Sequence, residues 1–144
     1  MITGLQHLHS SIPYILLPLI VIAVIVFWVK SFGTGAFGKT DKRLALITLI
    51  LSHLQLVFGL LLYFIGPKGF IYTSVSGFMK DAVMRLYAVE HIAVMLIAIT
   101  LITIGYSRAK RQPNAGKKFR GLALFYSLGL VLILSRIPWE AWLS

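Results

Sequence analysis

The chain lacks cysteine altogether and has few charged residues. The absence of cysteine excludes disulfides, thiolate metal sites, iron–sulfur clusters and covalently attached c-type haem. Only 12% of the 144 residues are charged and only four are acidic, whereas a soluble domain carries about 25% charged residues. We therefore expect much of the surface to face something other than water.

Basic residues outnumber acidic ones, and their positions along the chain indicate which class of protein this is. The formal net charge is +10, while 58% of the residues are hydrophobic and the mean hydropathy is +0.88. The charges lie in short gaps between long apolar runs, a distribution typical of membrane proteins with basic loops. We expect the lipid bilayer as a partner and no nucleic acid.

Four apolar runs determine the predicted architecture, and they cover residues 12–29, 44–65, 84–106 and 121–137. Each has about the 17 to 25 residues that a spanning helix needs. No signal-peptide pattern accompanies the first run, so it is predicted to be a retained helix. The short connections make consecutive helices antiparallel neighbours. The sequence therefore predicts an all-α fold, an integral membrane four-helix up-down bundle that forms a single domain over residues 1–144.

The orientation of this bundle follows from its basic residues. The first and third connections share one side and hold ten lysines and arginines, against four on the other side. The positive-inside rule then places the ten in the cytoplasm and both termini on the outer side. Trp139 and Trp142 are suited to anchor the outer interface, and Trp28 the inner one.

Few ionisable residues fall in or beside the apolar runs, and each needs a partner or a function. His53 lies near the middle of the second run, Glu90 and His91 lie in the third, Arg136 ends the fourth and His9 precedes the first. Neutral imidazole is the usual axial ligand of membrane-embedded b-type haem. The alternative for His53 is a hydrogen bond that joins neighbouring helices.

The histidines allow more than one ligand pair. At 1.5 Å per residue, His53 and His91 differ in depth by about 7–8 Å, which tilt and side-chain reach can accommodate. We predict this pair as the axial ligands of a haem iron, because their helices are adjacent. A His9–His91 pair has a similar offset and competes with it. His7 and His9 with Glu90 form a third arrangement, a metal site at the outer surface.

Glu90 is expected to interact with arginine at the outer interface. Arg85 and Arg136 are placed there by helix counting, so Glu90 is predicted to lie close to Arg136. The three side chains form either a structural ion pair or a group beside a haem propionate or a quinone.

Several segments together resemble a group of small bacterial four-helix integral membrane proteins labelled cytochrome b-like. The resemblance covers nearly the whole chain and is carried by His9-Ser10, by residues 52–60 (SHLQLVFGL), by residues 85–91 (RLYAVEH) and by Arg136-Ile137-Pro138-Trp139. It implies haem b, the bacterial inner membrane and respiratory electron transfer. The chain lacks two histidine pairs at matched depths, which limits the prediction to one haem.

The leading functional hypothesis is a haem-b-binding membrane subunit that mediates electron transfer near the quinone pool, with His53, His91, His9, Arg85, Arg136 and Glu90 at the cofactor. One alternative is a non-catalytic accessory subunit of a larger membrane complex or homo-oligomer. Another is a small membrane oxidoreductase that acts on a quinol or a porphyrin. No residue pattern identifies a substrate, so enzymatic activity stays open.

Overall fold

The structure, a computed structural model, describes all 144 residues and contains helices but no strands. The α-helices are α1 (Ile2–Ser11), α2 (Pro13–Ser31), α3 (Lys39–Ile65), α4 (Ala82–Arg85), α5 (His91–Arg111), α6 (Ala115–Arg136) and α7 (Trp139–Leu143). Two short 3₁₀ turns, Phe70–Ser74 and Phe78–Lys80, precede α4, and a π-helical turn, Leu86–Glu90, joins α4 to α5.

Four helical stretches are long and apolar enough to span a membrane, which confirms the predicted number of spans. The helices extend beyond the apolar runs, and at α6 a polar residue caps the extended start. Asn114 Oδ1 accepts a hydrogen bond from the Lys117 N–H, so α6 begins before residue 121. Residues 2–11, which precede the first apolar run, form α1 and continue into α2.

The four long helices enclose a core of small and aromatic side chains. α5 packs along α6, α2 lies against α6, and α3 contacts both α5 and α2. Tyr126 is fully buried, and its hydroxyl donates a 2.8 Å hydrogen bond to the Ala45 carbonyl across the bundle. Trp28 Nε1 donates at 2.9 Å to Ser127 Oγ. These bonds pair polar groups that hydrocarbon would leave unsatisfied.

The bundle has two chemically different ends. Both termini lie at one end, where Trp142 Nε1 donates a 2.8 Å hydrogen bond to the Ser10 carbonyl. We call this the terminal end. The connections at residues 32–38 and 112–114 lie at the other end, which we call the basic end because the ten lysines and arginines in and beside these connections cluster there.

Close packing of α5 on α6 depends on glycine, and substituting it tests this interface. A Cβ at Gly129 would lie 2.6 Å from Ile102 Cγ1, whereas one at Gly121 on the same helix meets nothing within 4 Å. We expect Gly129→Ala to destabilise the fold by about 1–3 kcal/mol, since added carbon overpacks a tight interface. Unfolding by SDS in mixed micelles measures this, with Gly121→Ala as the matched control. Equal stability of the two variants would contradict the packing.

Candidate functional site

A cavity of about 510 Å³ opens at the terminal end between α1, α3, α5 and α7. Its volume lies in the range of about 300–1,000 Å³ that is usual for small-molecule and cofactor sites. Most of its walls are apolar, with a small set of polar side chains that includes His9, Gln55, Tyr63, Lys68, Tyr87 and His91. Such walls suit a largely apolar ligand with a few polar groups.

A proline break in the first span positions one wall of this cavity. Pro13 has no N–H group, so the carbonyl of His9, four residues earlier, has no donor within the helix. Gln55 Nε2 on α3 supplies the missing hydrogen bond at 2.8 Å. Trp142 Nε1 on α7 donates to the next carbonyl, that of Ser10. The break therefore attaches α1 to two other helices.

The His9 ring packs directly against the backbone of α3. A Cβ at Gly59 would lie 2.8 Å from His9 Cε1, so only glycine at this position leaves room for the ring. His9 Nδ1 is buried and has no hydrogen-bond partner in the protein, and the same is true of Gln55 Oε1. Both unpaired atoms belong to residues that line the cavity. A buried polar atom without a partner is costly, so these two point to a ligand or ordered water.

His91 is held in one tautomer by the end of another helix. Its Nδ1 lies 2.7 Å from the carbonyl oxygen of Arg136, the last residue of α6. A carbonyl only accepts, so Nδ1 carries the hydrogen, and in the neutral ring Nε2 keeps its lone pair. A carbonyl on one ring nitrogen is the usual support for a histidine that binds metal through the other.

The structure brings His9 and His91 together across the cavity. Their ring centroids are 6.2 Å apart, and the ring planes are nearly perpendicular at 84°. This is the pair that sequence reasoning ranked second. His7 is exposed on α1, and no three His, Asp or Glu side chains cluster as a metal site would require. The arrangement of His7, His9 and Glu90 around a metal ion therefore has no geometric support.

His53 lies outside this cavity. Its Nδ1 is 2.9 Å from the Leu49 carbonyl one turn earlier, and its Nε2 is 3.4 Å from Thr103 Oγ1 on α5. The side chain is exposed at the bundle surface and is not among the residues that line the cavity. These contacts match the alternative in which His53 joins neighbouring helices.

Glu90 lies between two arginines beside the cavity. Its Oε1 is 2.7 Å from Arg85 Nε and its Oε2 is 3.3 Å from Arg136 Nε, which confirms the predicted ion pair with Arg136. Residues five apart on a regular α-helix point about 140° away from each other. The π-helical turn Leu86–Glu90 adds a residue to the turn and brings Arg85 and Glu90 onto one side. None of the three lines the cavity, but Arg136 connects to it through its carbonyl bond to His91.

Sequence reasoning did not single out two residues at the edge of the site. Lys68 and Tyr87 line the cavity, and Lys68 Nζ lies 4.6 Å from the centre of the Tyr87 ring. Gly69, which follows Lys68, has a φ of 92°, a conformation that favours glycine in this turn. The turn motif Gly66-Pro67-Lys68-Gly69 was visible in the sequence, but its position over the cavity depends on the fold.

Comparisons with protein-family models, curated proteins and solved structures give no match to this chain. The proposed function therefore rests on the cavity and the side chains that line it.

The hydrogen bond between Gln55 and the proline break can be tested by a double-mutant cycle. Gln55→Leu leaves the His9 carbonyl without a donor and is expected to cost about 1–2 kcal/mol of unfolding free energy. Pro13→Ala restores the N–H that can bond to the same carbonyl, so the cost of Gln55→Leu should fall in that background. SDS unfolding of the four proteins measures the coupling. Additive costs would show that Gln55 does not serve this carbonyl.

Proposed function

We propose that the protein binds one haem b in the cavity at the terminal end and mediates electron transfer near the quinone pool. The observation that carries this proposal is the facing pair of His9 and His91 rings in a cofactor-sized cavity. His9 and His91 would hold the haem iron, in place of the His53–His91 pair favoured by helix counting.

The dimensions of the histidine pair fit a shared metal. A bond from a metal to an imidazole nitrogen is about 2 Å, so two imidazoles that held one metal from opposite sides would have ring centroids about 6 Å apart. The observed separation is 6.2 Å. The buried and unpaired His9 Nδ1 also favours a ligand at this position.

Each surrounding residue has a defined part in this proposal. The Arg136 carbonyl orients His91 and leaves Nε2 free to bind iron, and Gln55 holds the α1 backbone beside His9. Lys68 places a positive charge at the cavity wall, where a haem propionate needs one. The bound haem supplies reversible one-electron oxidation and reduction. Glu90 pairs with Arg85 and Arg136 and so helps to fix Arg136, whose carbonyl holds His91.

Optical spectra of purified variants test the haem proposal. We expect wild type expressed with sufficient haem to show a bis-histidine b-type spectrum after dithionite reduction. His9→Ala and His91→Ala should each abolish or convert that spectrum, because each removes one ligand. His7→Ala and His53→Ala are the controls and should retain it.

Other results of these experiments would support a different pair of ligands or a different function. Loss of the spectrum in His53→Ala and His91→Ala, with His9→Ala unaffected, would return the ligand assignment to His53. A folded wild type without haem would refute electron transfer and favour the accessory-subunit alternative. Binding of haem without electron exchange with quinol would favour action on a porphyrin.

The proposed location is the bacterial inner membrane, with the basic end in the cytoplasm and both termini outside. The support is the ten-to-four distribution of basic residues between the two ends. Reporter fusions measure this orientation. Fusions after Ser144 and within residues 70–78 should report the outer side, and fusions within residues 110–117 the cytoplasm. An active cytoplasmic reporter after Ser144 would reverse the assignment.

A further inference from the structure

A second pocket lies at the opposite end of the bundle from the histidines. It has a volume of about 300 Å³ and lies between α3, α5 and α6, beside the connection that precedes α3. Its polar lining is basic, with four lysines and no acidic residue: Lys39, Lys42, Lys110 and Lys118. Its floor is apolar and is formed by Ala45, Tyr106 and Leu122.

No acidic side chain of the protein neutralises these lysines. The only acidic residue at the basic end is Asp41, which is 3% exposed and already bound. Its Oδ1 is 2.6 Å from Lys30 Nζ, and its Oδ2 accepts from the Gly38 N–H at 3.0 Å. None of the four pocket lysines takes part in a salt bridge. Four ammonium groups around one concavity repel each other and favour an external anion.

Aromatic rings hold two of the lysines at the pocket. Lys118 Nζ lies 5.0 Å from the centre of the Phe37 ring, and Lys110 Nζ lies 5.8 Å from that of Tyr106. Lys118 is half-buried, so its stem contacts apolar surface while its charge stays at the pocket. The pocket therefore combines a positive rim with an apolar floor at the end of spanning helices.

We propose that this pocket binds the phosphate headgroup of an anionic phospholipid in the leaflet at the basic end. The lysines would hold the phosphate, and the apolar floor would contact the glycerol and the first acyl carbons. Basic pockets between spanning helices are suited to such headgroups. A free phosphate ion would use the same lysines but would gain nothing from the apolar floor. The site is independent of the haem proposal, because it shares no residue with the histidine cavity.

Native mass spectrometry of the detergent-solubilised protein, titrated with phosphatidylglycerol or phosphatidylcholine, tests this site. We expect wild type to bind one phosphatidylglycerol more tightly than phosphatidylcholine. Lys42→Gln with Lys118→Gln should weaken phosphatidylglycerol binding about 25-fold, because each lysine near an anionic headgroup contributes about fivefold in affinity.

The matched control removes the same charge from the neighbouring positions, Arg43→Gln with Lys117→Gln, neither of which lines the pocket. This control should bind phosphatidylglycerol as wild type does. Equal weakening in both double variants would show diffuse surface attraction and overturn the proposal. Equal affinity for the two lipids would also overturn it. Displacement of the lipid by millimolar inorganic phosphate would reassign the pocket to a free anion.

Discussion

Hydrocarbon offers no hydrogen-bond partner, so every polar group in the spans must find one within the protein. The fold responds to this constraint at the break before Pro13. Pro13 leaves the His9 carbonyl without a donor in its own helix, and Gln55 donates a hydrogen bond to it. Trp142 donates a hydrogen bond to the next carbonyl, that of Ser10. Tyr126 and His53 meet the same requirement by donating to backbone carbonyls, one across the bundle and one within its own helix. The bonds from Gln55 and Trp142 fix the position of α1, which forms one wall of the cavity.

Since the other buried polar side-chain atoms have hydrogen-bond partners, the buried atoms that lack one are informative. The buried side-chain atoms without a partner are His9 Nδ1 and Gln55 Oε1, and both belong to the same cavity. His91 carries its proton toward the Arg136 carbonyl, which leaves Nε2 as an electron-pair donor. The two unpaired atoms therefore point to this cavity as the place of a ligand or ordered water.

The sequence predicted the spans well, because about 20 apolar residues are enough to identify a membrane helix. It also predicted the Glu90–Arg136 pair, since both residues fall at the same end of adjacent helices. It did not predict the contact partners of the histidines. Counting residues along a straight helix placed His53 near the middle of the membrane. It did not show which face of the helix His53 occupies. The π-helical turn changes the direction of the side chains that follow it, and counting residues at a regular helical spacing does not reveal this effect.

The two ends of the bundle differ in how far acidic side chains pair with their basic residues. At the terminal end Glu90 forms ion pairs with both Arg85 and Arg136 beside an apolar cavity, which lowers the charge of these three side chains to +1. At the basic end the single buried carboxylate of Asp41 is already paired, and the pocket lysines remain uncompensated. The pocket at the first end is mostly apolar, whereas four lysines line the pocket at the second end. Both sites draw on α3 and α5, whose opposite ends form them, so each can be altered without touching the other.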